Sequence, residues 1–209
     1  MRPGARIQAA AEVLEDIFSR HQPAATALQD WGKRHRFAGS GDRAAIGTLV
    51  YDVLRRRLSL GAQMGSSEPR ALAIAAASKA LGLSLDDVAA VCDGNPHAPA
   101  PLSDDERRRL AEALPSDIAS HVAADIPEWA MPAFERAFGD RALLEGQAMA
   151  ERAPIDLRAN TLKATREKVL AALAPLGASV TSLGPHGVRI PAPQGPAKSP
   201  HVEAEASHG

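Results

Sequence analysis

RAPIDLRANTLKATREKVLAAL, residues 152–173, is the stretch on which the reading of the fold turns. Upstream of it one amphipathic helix follows another, and from Pro154 onward the pattern changes. Residues 155–159, IDLRA, alternate apolar and polar as a short strand does. Side chains two apart in a strand share a face, which predicts Arg158 and Asn160 on one side and Leu157 and Ala159 on the other. Thr165 then stands as the N-cap of a helix predicted over 166–174. Ala178–Leu183 and Val188–Ile190 read as two more short strands around Gly184-Pro185-His186-Gly187. Residues 191–200 hold four prolines and predict a loop, and His201–Ala206 leaves room for a last strand.

Working back toward the N-terminus, the periodicity is that of helices. Ile7, Ala10, Ala11, Leu14, Ile17 and Phe18 form one stripe and predict a helix over 5–20, ended by Pro23. A second helix is predicted over 24–36, with Leu28, Trp31 and Phe37 beside Lys33, Arg34, His35 and Arg36. After Gly39-Ser40-Gly41, Asp42 reads as the N-cap of a helix over 43–58 with Ile46, Leu49, Val50 and Val53 as its apolar stripe. Helices over 69–81 and 85–92 follow, the second opened by Ser84 with Asp87 three residues on. Ser103 with Glu106 makes a fuller capping box for a helix over 104–113. The intervening 93–102 reads as a loop, and further helices are predicted near 116–124, 128–138 and 140–151.

Composition agrees with a mainly helical chain. Of 209 residues 43 are alanine and only 3% are aromatic, whereas strands favour β-branched and aromatic side chains. The net charge is −1, which argues against a chain that binds polyanions by bulk charge alone. The distribution is uneven: residues 1–60 carry about +4, residues 61–150 about −7 and residues 151–209 about +2. The single cysteine, Cys92, excludes a disulfide framework and a cysteine-based zinc cluster and suits a reducing cytoplasm. No apolar run approaches the roughly 20 residues that span a bilayer, and acidic residues interrupt the N-terminal apolar pattern, unlike a signal peptide.

No catalytic signature stands in the chain. There is no G-x-S-x-G, no H-E-x-x-H, no G-x-x-x-x-G-K and no strand leading into G-x-G-x-x-G. The seven histidines lack metal-ligand spacing. The acidic clusters Asp86-Asp87 and Asp104-Asp105-Glu106 fall in first helical turns, where capping and the helix dipole explain them. Cys92 closes an apolar helix and reads as a small buried hydrophobe. The basic residues hold more promise. Arg55, Arg56 and Arg57 end the third predicted helix, where cations complement the dipole, and Arg55 and Arg56 fall on its polar side. Together with Lys33, Arg34 and Arg36 they offer charge for phosphates.

Two stretches resemble one family. GDRAAIGTLVYDVLRRR (41–57), through Asp42, Arg43, Val50, Tyr51, Leu54 and Arg55, resembles the helix of the NusB-like domain at the N-terminus of the Sun (Fmu) RNA cytosine-5 methyltransferases. Asp52 stands where family members usually have Gly. Residues 152–173, through Arg152, Pro154, Leu157, Arg158, Asn160, Thr161, Leu162, Lys163 and Arg166, resemble that family's Arg-x-Pro-x-x-Leu-Arg-x-Asn-x-Leu-Lys segment and its following helix. Pro127-Glu128-Trp129 is similar to the Pro-x-Trp that leads into it.

The resemblance implies a NusB-like all-helical RNA-binding domain over 1–125, a helical connection over 126–150 and a small α/β RNA-binding subdomain over 151–209, whose Pro-rich loop leads toward a catalytic domain. That Rossmann-like domain would bind S-adenosylmethionine and bring a Pro-Cys dipeptide and a second, nucleophilic cysteine. Neither its Gly-rich motif nor these cysteines occur here, so the chain reads as the N-terminal part of such an enzyme, without catalytic, cofactor-binding or metal-binding residues of its own. The parent reaction implied is attack of a cysteine thiolate on C6 of cytosine, methyl transfer to C5 and release by proton abstraction. The expected partners are RNA, specifically small-subunit rRNA, and the catalytic domain in cis, in the cytoplasm, with no membrane and no metal. The RNA-contacting candidates are Arg43, Arg55, Arg56, Arg158, Asn160, Lys163 and Arg166. Two alternatives stay open, a free-standing NusB-like RNA-binding or antitermination module and a helical adaptor that uses the acidic middle block as its contact surface.

Overall fold

Eleven α-helices and three strands occupy residues 1–193 and 195, the residues described by the structure, a computed structural model. The predicted strand at His201–Ala206 lies outside them. The described residues divide into two compact units, the first over Met1–Glu151 with Gly195 and the second over 152–193.

The first unit is a helical bundle. Its centre is α5 (Pro69–Leu81), which has Pro at its first position and is closed by Gly82 in the left-handed region. Leu72, Ala73, Ile74, Ala76 and Ala77 are fully buried, because α1 (Pro3–Arg20), α3 (Ser40–Arg55) and α4 (Arg57–Met64) all pack on this helix. A helix that is apolar all round belongs in such a position. The predicted stripe of α1 is buried at Ile7, Ala10, Ala11 and Leu14, joined by Val13. Gly4 lets the start of α1 approach closely: a Cβ there would stand 2.3 Å from the Val91 carbonyl oxygen at the end of α6 (Leu85–Val91). α2 (Ala24–Arg34) covers one side of α1. Both predicted capping boxes are formed, Ser84 with Asp87 opening α6 and Ser103 with Glu106 opening α7 (Asp104–Ala111).

Three local expectations fail. The helix predicted over 43–58 begins earlier, at Ser40, and no side chain caps it. Asp42 instead sits inside its first turn, where its carboxylate accepts from the Met1 amino group at 3.0 Å and from Arg6 Nε at 3.0 Å. The same helix stops at Arg55, and α4 starts at Arg57 in a new direction, with the Arg57 guanidinium 4.0 Å above the Phe18 ring. Finally, the helix predicted over 116–124 shrinks to α8 (Ser120–Ala123). α9 (Met131–Phe138) and α10 (Ala142–Met149), each led in by a 3-10 turn, complete the unit. Ala124, Ile126, Met131 and Ala142 form a small core of their own there. Gly146 allows α10 to press on Ala124, since a Cβ would come within 2.7 Å of that carbonyl.

The second unit has the order β1 (Ile155–Arg158), α11 (Arg166–Leu173), β2 (Ser179–Val180), β3 (Gly187–Ile190). The sheet is antiparallel throughout, with β3 in the middle between β1 and β2. Ile155 faces Ile190 and Leu157 faces Val188, and α11 packs on β3. Val188 and Ile190 are fully buried. β2 is shorter than the predicted Ala178–Leu183, and Leu183 lies exposed in the turn before β3.

Candidate nucleic-acid interface

The outward face of β1 follows from strand alternation, with Asp156 and Arg158 exposed while Ile155 and Leu157 turn inward. Across the sheet Arg189 donates to both Asp156 oxygens at 2.7 Å, and its guanidinium holds the Asp156 carboxyl below the usual carboxylate range. Arg158 faces Gly187, which offers no side chain to pair with. Among the described residues Arg158 makes no ion pair. Ala159, on the inward side, is buried at 4% exposure.

The chain then turns sharply, and Asn160 builds the turn. Its Oδ1 accepts from the Leu162 N–H at 3.1 Å, and its carbonyl accepts from the N–H groups of Lys163 and Ala164, both at 2.9 Å. Thr165 caps α11 by accepting from the Lys168 N–H, as the sequence predicts. Arg158 ends β1, and the exposed Asn160 and Lys163 follow beyond it. Arg166 opens α11, half-buried, with Nε 3.7 Å from Glu167. Four of the seven sequence candidates thus fall on one strand–turn–helix segment. Leu162, 95% exposed, tops the turn between them.

The other three candidates belong to the helical unit and have structural work there. Arg43 donates from Nε to the Ala38 carbonyl and from a terminal nitrogen to the Gly32 carbonyl, each at 3.0 Å. It therefore ties down the loop between α2 and α3. Arg55 and Arg56 do not point freely into solvent as the helical wheel suggests. Both reach the carboxylate of Asp52, which is only 5% exposed, and Arg55 also donates to the Ala150 carbonyl at 3.0 Å. A buried carboxylate demands compensation of this kind, so these two cations are in large part consumed by folding.

Sequence reasoning left one arrangement unseen. The Trp31 ring stacks on His35 with centroids 4.2 Å apart, and Phe37 stands edge-on to His35 at 5.8 Å. All three are visible as an i, i+4, i+6 pattern across the end of α2, but the exposure of Phe37 is not. Cys92, by contrast, is as read: it is 1% exposed, and burial pushes its thiol up to about 11. Among the described residues no group of three or more His, Cys, Asp or Glu side chains could hold a metal ion, and no helix is long and apolar enough to cross a membrane.

The strand–turn–helix segment is also where the chain meets a known family. Residues 126–195 match the model of the ferredoxin-like domain of RsmF/B-like methyltransferases. The matched residues are about a third of the chain. The β–α–β–β run of the second unit matches the first four elements of the β-α-β-β-α-β ferredoxin-like motif. The match bears out the resemblance of residues 152–173 to the N-terminal region of the Sun (Fmu) methyltransferases. It begins at residue 126, so it takes in α9 and α10 as well as the sheet. Among solved structures the chain is similar to one titled "Crystal Structure of PH0851", at 17% identity and a TM-score of 0.49. That likeness covers 99% of this chain and 51% of the other, so the chain spans about half the length of that protein. No curated protein matches the chain.

Proposed function

We propose that this chain is the RNA-recognition portion of an S-adenosylmethionine-dependent small-subunit rRNA (cytosine-C5) methyltransferase, a cytoplasmic enzyme. On this reading residues 1–125 are a NusB-like domain, 126–150 a helical connection and 151–209 the RNA-binding subdomain. Its task is to dock RNA and orient the target for a catalytic domain outside these residues. The observation that carries the reading is the ferredoxin-like match over 126–195 coinciding with a cationic segment in which Arg158 and Lys163 are exposed and Arg166 is half-buried. Guanidinium and ammonium groups close together along a strand–turn–helix segment suit phosphates.

S-adenosylmethionine does not fit the described residues. Their one sheet is antiparallel, no strand of it runs into a Gly-rich turn and helix, and the one thiol is buried and protonated. We therefore derive no chemical step from this chain, and calorimetry with S-adenosylmethionine should show no uptake. Clear micromolar binding would overturn the assignment of the cofactor to another domain.

The docking role is tested by RNA titration at several salt concentrations. Replacing Arg158 and Lys163 together with Ala should weaken binding largely independently of sequence and lower the salt slope by about two. A double variant that bound RNA like wild type but melted much earlier would make these residues structural and move the RNA face elsewhere.

A further inference from the structure

We propose that the cleft lined by Arg2, Trp31, His35, Phe37 and the loop at Asn95–His97 in the helical unit binds a single unstacked base of single-stranded RNA, with Phe37 as the stacking platform. The proposal rests on the RNA-docking reading and adds a second, chemically different contact to it. The cleft encloses about 520 Å³, within the range of small-molecule sites and ample for one base.

Its wall is built in layers. Trp31 is 3% exposed and fixed by its indole N–H, which donates to Glu12 at 3.0 Å. His35 lies flat on Trp31, its planes 17° apart. The Nδ1 of His35 is 2.9 Å from the Trp31 carbonyl oxygen, which can only accept, so that nitrogen carries a hydrogen and the ring cannot turn freely. Phe37 rests edge-on against His35 and is 71% exposed. Burying a phenyl ring is strongly favourable, and this one is held out in water by a turn that Arg43 clamps at Gly32 and Ala38. A preorganised, exposed aromatic face costs little entropy to use, which is the economy of base-stacking sites.

The surrounding charge favours a nucleotide over an apolar ligand. Arg36 directly precedes the ring and makes no ion pair among the described residues, and Arg2 lines the cleft beside Asp93. The acidic side chains in the wall are already engaged. Glu12 receives the Trp31 N–H, and Asp93 receives the Asn95 backbone N–H at 3.0 Å. Their remaining acceptor capacity suits the amino groups that bases carry and phosphates lack.

The test measures binding of a short single-stranded RNA of mixed sequence to the full chain and to Phe37→Ala, Phe37→Tyr and Arg36→Ala. Phe37→Ala should lose about tenfold or more in affinity with an unchanged salt slope, since stacking releases no counterions. Phe37→Tyr should restore binding. Arg36→Ala should lower the slope by about one. All should melt with wild type, because Phe37 and Arg36 are exposed. Wild-type affinity in Phe37→Ala, while the Arg158/Lys163 double variant is impaired, would overturn the cleft and leave the docking reading intact. Absence of RNA binding by wild type would remove both. If an arginine-rich peptide changes the fluorescence of Trp31 in a Trp129→Phe background and RNA does not, the cleft is a peptide site and the proposal fails.

Discussion

Asp125 caps a helix that lies 66 residues upstream, its two carboxylate oxygens accepting from the N–H of Ser59 at 2.9 Å and the hydroxyl of Ser59 at 2.6 Å. Ser59 is in the first turn of α4, where backbone N–H groups have no partner within the helix. Asp125 reaches it from a strained position, with φ at 54°. Asp125→Ala should therefore cost about 1–2 kcal/mol in urea unfolding, the range of a lost cap. Asp125→Asn, which keeps one acceptor and tolerates positive φ, should recover much of that. Equal loss in both variants would mean that the charge rather than the hydrogen bonds supports α4.

Asp52 with Arg55 and Arg56 yields a prediction that separates folding from RNA contact. Asp52 is 7% exposed at its side chain, Arg55 29% and Arg56 19%. Removing one member leaves a desolvated charge, which costs several kcal/mol when fully buried and less where water reaches the guanidinium. Arg56→Ala should destabilise the chain by about 2 kcal/mol in urea unfolding. The folded variant should keep a salt slope for RNA close to that of wild type. An unchanged urea midpoint with weakened RNA binding would return Arg56 to the phosphate contacts that its place in the sequence suggests.

These two clusters also mark where the sequence becomes unreadable. α5 is legible to the residue, because Pro69 and Gly82 punctuate both ends and the apolar run lies between them. Both capping boxes are legible because every partner is within three residues. The break between α3 and α4 is not. Residues 54–60, LRRRLSL, favour helix throughout, and what turns the chain is a buried carboxylate that draws Arg55 and Arg56 together and a cap donated by Asp125. Asp42 misleads for a related reason. It has the identity and spacing of a cap, but the Met1 amino group and Arg6 claim its carboxylate, and the helix starts at Ser40 without it. In the candidate interface, strand alternation suffices to expose Arg158 on β1, whereas the exposed Phe37 depends on the Arg43 clamp and has no local signature.

Glu106 gives a pH prediction. Burial acts to raise its carboxyl, but the Ser103 backbone N–H, at 2.8 Å, and the Arg70 guanidinium outweigh it and hold the group below its ordinary 4.5. A carboxylate depressed on folding binds protons more readily when unfolded. Its contribution to stability is therefore complete above about 4.5 and disappears as pH falls through the lower folded value. Other carboxylates here shift in the same direction, so the informative quantity is the difference in melting temperature between wild type and Glu106→Gln. That gap should be widest at neutral pH and close in acid. A gap independent of pH would show that Glu106 acts through its hydrogen bonds alone.

Asn160 tests whether the turn after β1 is only scaffold. Its Oδ1 holds the Leu162 N–H, so Asn160→Ala should lower stability by about 1 kcal/mol while the folded protein still binds RNA. Asn160→Asp keeps an acceptor at the same position and should melt near wild type. It also places a negative charge two residues beyond Arg158 and beside the turn that carries Lys163. If phosphates pass over that face, Asn160→Asp should lose RNA affinity several-fold at low salt and regain part of it as salt screens the repulsion. The two variants thus separate the two roles, one losing stability and the other losing binding. RNA affinity of Asn160→Asp equal to wild type at low salt would mean that no phosphate approaches this side of the strand, and Asn160 would keep only its role in shaping the turn.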